Sequence, residues 1–420
     1  MRLRRRSSTP PPRCWIQSVS IAVLVSLLLI FTFNVGLFCA DTAVGQDRHS
    51  LDQAATVTQI RRRHDQGDAV NLYRNDLNVV HIIQTRLMQF QPNLLALGAA
   101  RLKIFEAFTV SSLKHQTTHA FLWIIRTDPD LEAVLKDKLR LAVAGMENVV
   151  VIASNFNPEG FRDAGSIANI TRQDVWVGSW DMLQAHHRAA QDRILIESRL
   201  DADDALNVEF CRSVQEHAVQ QLRGNNTAWS VGCAEYHVEW QQHSPWNETD
   251  PDKGALLGLS TQLCITPGLT FSYGSAAARS DLPAGISHHK LHSLLKACSD
   301  DNTVNCLYRL PVPDNFPLAV RARTICSAGM ANLILQDGQV PTPALRQLEH
   351  SRWRGLQDNI WGSLVYMFGL EPEDIWRVRA YLEEHQFEVA TDALKGQCTK
   401  GHSCKDDSRA ALKTLLKTHT

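Results

Sequence analysis

Short, continuous apolar runs alternate with segments of helical spacing from residue 78 to about residue 222. Residues 79–83 (VVHII), 121–125 (FLWII), 149–152 (VVVI) and 194–196 (ILI) are the apolar runs. Uninterrupted runs of that length are strands buried on both faces. Between them, residues 95–113 carry Leu95, Leu102, Phe105 and Phe108 along one side, and Leu131, Val134, Leu135, Leu139 and Ala142 repeat at helical spacing until Gly145 stops them. Asp128 reads as the N-cap of that second helix, with Pro129 at its first position. Thr171 and Asp174 read as a capping box for a helix carrying Trp176, Trp180, Leu183 and Ala190. Residues 206–222 are again amphipathic, with Phe210, Val214 and Leu222. The pattern predicts an α/β fold, a wound sheet with parallel strands covered on both faces, whose ligands bind beyond the carboxyl ends of the strands. Those ends carry Thr85 and Arg86, then Arg126 and Asp128, then Asp201 to Asp204.

Past residue 225 the alternation breaks. Residues 229–231, 236–240, 256–266 and 269–273 look extended, the last two joined by Pro267 and Gly268, in a loop-rich half suited to shaping an acceptor pocket. From about residue 342 the spacing is helical again, over 345–356, 359–368 and 372–384, the last opening on Glu371, Glu373 and Asp374, which favour the helix dipole. This divides the chain into a tail (1–15), an apolar segment (16–40), a stem (41–77), the main domain (78–340) and a helical C-terminal extension (341–420).

The apolar segment sets the expected compartment. Arg2, Arg4, Arg5, Arg6 and Arg13 precede residues 14–40, which hold no charged side chain. A helix of that length spans a bilayer, and the arginines hold its start in the cytoplasm. The expectation is a single-pass type II signal anchor in the Golgi or ER membrane with a luminal domain. A cleaved signal peptide, cut after Gly45, is the alternative. Asn169, Asn225 and Asn247, each followed two residues on by Thr, are glycosylation sequons that agree with a lumen. In a lumen, pairing of Cys398 with Cys404 or other partners is expected over a zinc site with His402.

Composition narrows the chemistry. A formal net charge of −1 makes no case for nucleic acid. No Walker motif, Gly-x-Gly-x-x-Gly or Gly-x-Ser-x-Gly occurs, which removes the usual grounds for an NTPase, a dinucleotide enzyme or an α/β-hydrolase. Asp201-x-Asp203-Asp204 stands out. A buried strand leads into it and a helix leads out, so two carboxylates project from one tight turn, with oxygen ligands suited to Mn²⁺ or Mg²⁺. The plainer reading is a turn that caps the next helix. An EF-hand is excluded, because Leu206 and Arg212 stand where Gly and Glu are required. Three further residues have two readings each. His289, beside His288, is a surface residue or a metal or phosphate contact. Arg323 is a structural ion-pair partner or a phosphate fork. Asp128 is a cap or a contact to a nucleotide's base or ribose.

Several blocks carry a family resemblance: residues 85–131, ILIESRLDADDAL (194–206), TPGLTFSYG (266–274), ISHHK (286–290) and RARTICSAGM (321–330). Together they resemble the family described as putative rhamnosyltransferases, glycosyltransferases for which a GT-A fold is expected, a wound mixed sheet flanked by helices. The resemblance implies Asp201 and Asp203 as the Asp-x-Asp metal ligands with His289 as a further contact. It also implies that Asp128 lies in the nucleotide pocket. The expected activity is metal-assisted transfer of a sugar, rhamnose by the resemblance, from a nucleotide-diphosphate donor to a glycan hydroxyl. The alternatives are another hexose such as galactose or glucose, or a non-catalytic luminal carbohydrate-binding protein. If configuration inverts, Glu235, Glu239 and Asp281 are the candidate bases.

Overall fold

A computed structural model describes residues 76–155, 161, 169–233, 236–242, 256–260, 267–277, 308–309, 317–327 and 360–398. The expected membrane anchor, the helix over 345–356, His289, Glu235, Asp281 and Asn247 lie outside them. No helix among the described residues is long and apolar enough to cross a membrane.

The apolar runs form the strands β1 (Val79–Arg86), β2 (Leu122–Thr127), β3 (Val149–Ala153) and β5 (Ile194–Arg199), all parallel where they pair. Alternation along each strand loads both faces. Val79, Ile83, Trp123, Ile125, Val149 and Val151 pack on one side against Leu97, Phe105 and Phe108. Val80, Ile82, Leu122, Ile124, Val150 and Ile152 pack on the other with Leu183 and Phe271. Two additions make the sheet mixed. β4 (Val175–Val177) runs antiparallel to β3. On the other side β10 (Leu269–Tyr273) runs antiparallel to both β5 and β7 (Trp229–Cys233). With β11 (Tyr308–Arg309) the order is β11-β7-β10-β5-β1-β2-β3-β4, an eight-stranded mixed sheet flanked by helices.

A second, four-stranded sheet has the order β6-β12-β8-β9, from β6 (Asp204–Leu206), β12 (Ala319–Arg323), β8 (Tyr236–Gln241) and β9 (Leu256–Ser260). β6 starts inside the aspartate cluster, so the segment after the Asp-x-Asp is a strand before it is a helix. The helix begins only at Phe210 and runs to Leu222.

Three local expectations are met only in part or not at all. Asp128 does not cap the second helix, which spans Ala133–Ala142 with Glu132 at its N-cap. The Asp128 carboxylate instead accepts the N–H groups of Phe90 (2.9 Å) and Asp130 (3.0 Å). The capping box of Thr171 and Asp174 forms, but it closes a single 3₁₀ turn, Arg172–Asp174. Trp176 then lies on β4, and the helix Trp180–Asp192 is capped by Ser179. The helix expected over 95–113 is α-helical at Leu95–Ile104, π-helical at Phe105–Val110 and α-helical again at Ser111–Lys114. Its first residue, Leu95, is half exposed.

The C-terminal helices Ile360–Phe368 and Pro372–Glu384 occupy the spans read from the sequence, and a third follows at Gln386–Cys398. Gly369 ends the first with φ +64, and a Cβ there would overlap the His115 ring. The Asp392 carboxylate accepts the Ala96 N–H at 3.0 Å, so the last helix caps the first.

Candidate active site

β5 ends at Arg199, and Leu200 is buried beneath the turn that follows. The chain then presents Asp201 exposed, Asp203 half-buried and Asp204 buried, with one carboxylate oxygen from each lying within 4.8 Å of the others. A hydrogen bond from Asp204 N–H to the Asp201 carbonyl, 3.2 Å, closes the turn.

The π-helical stretch supports this turn from below. The Thr109 hydroxyl donates to the Asp204 carbonyl at 2.8 Å. One turn later, Ser112 Oγ accepts the Leu206 N–H at 3.2 Å. The wider i→i+5 loop of a π segment re-aims side chains, a device common at functional sites. Here Phe105 meets Trp123 at 5.5 Å and Phe108 meets Trp240 at 5.2 Å between ring centroids, anchoring the segment to both sheets.

β12 closes the site from above. It pairs with β6 so that Arg321 stands opposite Asp204. The Ala322 N–H donates to Asp204 Oδ1 at 3.0 Å, and the Ser327 hydroxyl donates to Asp203 Oδ2 at 2.8 Å. Burial first, then the charges of Asp203 and Asp201, push the Asp204 carboxyl well above the usual range, against the opposing pull of Arg321 and the Ala322 N–H.

The resulting cavity, about 230 Å³, is lined by Asp201, Asp203 and Asp204 and by four arginines, Arg86, Arg101, Arg321 and Arg323. Arg101 is a half-buried strut. It donates to Gln91 Oε1 at 2.6 Å and through two nitrogens to the Cys326 carbonyl, 3.1 and 3.3 Å. Arg323 and Arg321 lie 3.7 and 3.8 Å from the buried Glu239 Oε1, which also faces His237 Nε2 at 3.8 Å. Burial pushes the Glu239 carboxyl up, but His237 and the two arginines outweigh it and hold it below the usual carboxylate range. Cys326, in the same block, is a free thiol that burial pushes up to about 12. Cys233 is disulfide-bonded.

Of the residues singled out in the sequence, the structure brings Arg86, Asp201, Asp203 and Arg323 to this cavity. Thr85 does not line it. Its hydroxyl is buried and accepts the indole N–H of Trp123 at 3.0 Å. Asp128 does not line it either, holding the loop after β1 at Phe90. Among the sequons, Asn169 is exposed and Asn225 is partly exposed, its side-chain oxygen 3.0 Å from the Thr227 hydroxyl. Sequence reasoning missed Arg101, Arg321 and Ser327. All three stand inside blocks that carry the family resemblance, Arg101 within residues 85–131 and the last two within RARTICSAGM, which was the available signal.

No curated protein matches the chain. Residues 80–245, from the first strand through the aspartate cluster to the end of β8, match the family model described as "Putative rhamnosyl transferase", so the family resemblance carried by the sequence blocks holds over this segment.

Proposed function

We propose that the protein is a metal-assisted glycosyltransferase that moves a sugar, rhamnose by the family's description, from a nucleotide-diphosphate donor to a glycan hydroxyl. The observation that carries this reading is the cluster of three carboxylates at the end of β5, held within 4.8 Å and faced by arginines across one cavity. An oxygen-only donor set fits a hard divalent cation such as Mn²⁺ or Mg²⁺. Asp201 and Asp203 would hold the ion, with His289 as a further candidate. Bound there, it would supply Lewis-acid stabilisation of the departing diphosphate.

The chain's own residues do the rest. Arg86, Arg321 and Arg323 present guanidinium forks toward phosphate oxygens. Arg101 and Ser327 fix the walls, and Asp204 ties β6 to β12. Glu239 suits the work of an arginine anchor, leaving Glu235 and Asp281 as candidate bases for an inverting reaction. The sheet order, with β5 beside β1 and an antiparallel β10 beyond it, supports a GT-A-like fold. The apolar N-terminal segment is proposed to anchor the chain as a type II protein of the Golgi or ER membrane, with glycans on the sequon asparagines.

A donor screen with Mn²⁺, scoring released nucleoside diphosphate, tests the reading. Turnover with a deoxyhexose donor and its loss in Asp201→Ala are the expected results. Turnover with a galactosyl or glucosyl donor alone would replace rhamnose. Glycan binding with no turnover from any donor would replace the enzyme with a binding protein.

A further inference from the structure

A second charged group lies beside the aspartate cavity. By strand alternation, Arg86, Arg126 and Arg199 share the sheet face of Ile82, Ile124 and Leu195. Arg86 stands in register with Arg126, and Arg199 with Gln84. Adjacent strands are about 4.8 Å apart, so three guanidinium groups crowd the carboxyl ends of β1, β2 and β5. Glu197 is the carboxylate of the same face on β5, and its Oε1 accepts the Phe161 N–H. Arg199 packs over the Phe271 ring at 5.1 Å.

Arg126 is the unusual member. It is 3% exposed, and its Nε and Nη1 are enclosed with no hydrogen-bond acceptor among the described residues. Among the described residues it has no ion pair. Burial and the neighbouring Arg86 lower its pKa to about 10, with Glu197 opposing, so it stays charged at neutral pH. A buried cation without a partner is strongly unfavourable. A purely structural arginine would have its carboxylate or carbonyls in place, as Arg101 does on Cys326 and Gln91. Among the described residues only Glu197 opposes the charge, and none accepts a hydrogen bond from its Nε or Nη1, which leaves room for an anion that arrives. Arg86 also lines the aspartate cavity, so the two groups adjoin.

We infer that Arg126 and Arg86 form an oxyanion subsite that takes a phosphate of the donor's nucleoside diphosphate, on the face of β1 bearing Ile82 and beside the aspartate cluster. This rests on the donor reading above and deepens it. The diphosphate is gripped by paired guanidinium forks as well as by the aspartate side, and it retains affinity for the protein without a metal. A carboxylate or sulfate on an acceptor glycan has the same oxyanion chemistry, and the test separates the two sources.

The test is titration calorimetry of the full-length chain with UDP, GDP, dTDP, their nucleosides, inorganic pyrophosphate and a hexuronate oligosaccharide, each in EDTA and in Mn²⁺. At least one nucleoside diphosphate should bind in EDTA. Arg126→Met and Arg86→Gln should each weaken it tenfold or more and leave nucleoside binding unchanged. Arg86 is exposed, so R86Q carries the test if R126M does not fold. Diphosphate affinity within twofold of wild type in the variants overturns the subsite. If that result comes with Mn²⁺-dependent turnover, the transferase stands without it. Hexuronate binding that the variants lose, with diphosphate binding unmoved, overturns the phosphate assignment. Pyrophosphate binding that the variants lose, with no turnover from any donor, keeps the subsite and removes the transferase.

Discussion

The Ser327 hydroxyl donates a hydrogen bond to Asp203 Oδ2 at 2.8 Å, across 124 residues of chain. The same hydroxyl accepts the Thr324 N–H at 3.2 Å, so the turn after β12 is built around the bond that aims Asp203. Outer-shell partners of this kind fix the orientation of a ligating carboxylate. Ser327→Ala should weaken Mn²⁺ binding by roughly tenfold to a hundredfold, the usual effect of losing such a partner. Calorimetric Mn²⁺ titration checks it. An unchanged affinity would show that Asp203 is aimed by something else.

If Asp203 holds a divalent cation as proposed, removal of the metal and removal of this carboxylate should agree. Turnover should vanish in EDTA and return with Mn²⁺. Asp203→Asn should lose at least about a hundredfold in kcat, as expected when charge stabilisation in the transition state is withdrawn. Its melting temperature should stay near wild type, since Asp203 is only half-buried. Release of nucleoside diphosphate is the readout, and EDTA-resistant turnover would remove the metal from the mechanism.

Arg101 joins the loop after β1 to the turn after β12 through Gln91 and the Cys326 carbonyl. Lysine keeps the charge but not the fork. Arg101→Lys should therefore raise donor KM several-fold and cost about 1–3 kcal/mol of stability, the usual range for bonds made by a charged group. Chemical denaturation and a donor KM measurement check both parts. An equal loss in Arg101→Lys and Arg101→Ala would locate the effect in the fork; full rescue by lysine would locate it in the charge alone.

What the sequence disclosed and what it hid follow from the range of the interactions. β1, β2, β3 and β5 were legible because burial on both faces leaves an unbroken apolar run. The aspartate turn was legible for the same reason, since β5 points to it. Asp128 was misassigned because Asp-Pro is a strong local cap signal, whereas its actual partner, Phe90 N–H, is 38 residues away and held at φ +62. The box at Thr171 was real, but three residues, Val175, Trp176 and Val177, prefer the sheet edge to a helix. β6 is three residues long, and nothing local announces that it will pair with β12. Arg323 could be singled out from the sequence, but the pairing that makes β12 the cavity's upper wall could not.

His81 provides a prediction about acid. Its ring is buried inside the sheet, with Nε2 at 2.9 Å from Ser198 Oγ and Nδ1 at 3.3 Å from Gln215 Nε2. Gln215 Nε2 can only donate, so Nδ1 accepts and Nε2–H donates to Ser198. The Ser198 hydroxyl donates to Thr270 Oγ1 at 2.8 Å, and Thr270 donates to the Gly268 carbonyl at 3.2 Å. The chain of donors runs one way, and only a neutral imidazole completes it. Burial lowers the His81 pKa from 6.5 to about 3. The sign follows from the direction of that shift. The unfolded chain binds the proton more readily, so this contribution is complete above pH 6.5 and is lost as pH falls toward 3. Its ceiling is roughly 4–5 kcal/mol at about 1.4 kcal/mol per pH unit. His81→Leu cannot take the proton. It should be less stable than wild type at pH 7.5 by about 1–3 kcal/mol, from the broken hydrogen bonds. Below pH 6 its stability should fall less steeply, so the two curves converge in acid. Urea denaturation at half-unit pH steps measures both slopes. Parallel curves from pH 7 to 4 would mean that another group governs acid unfolding.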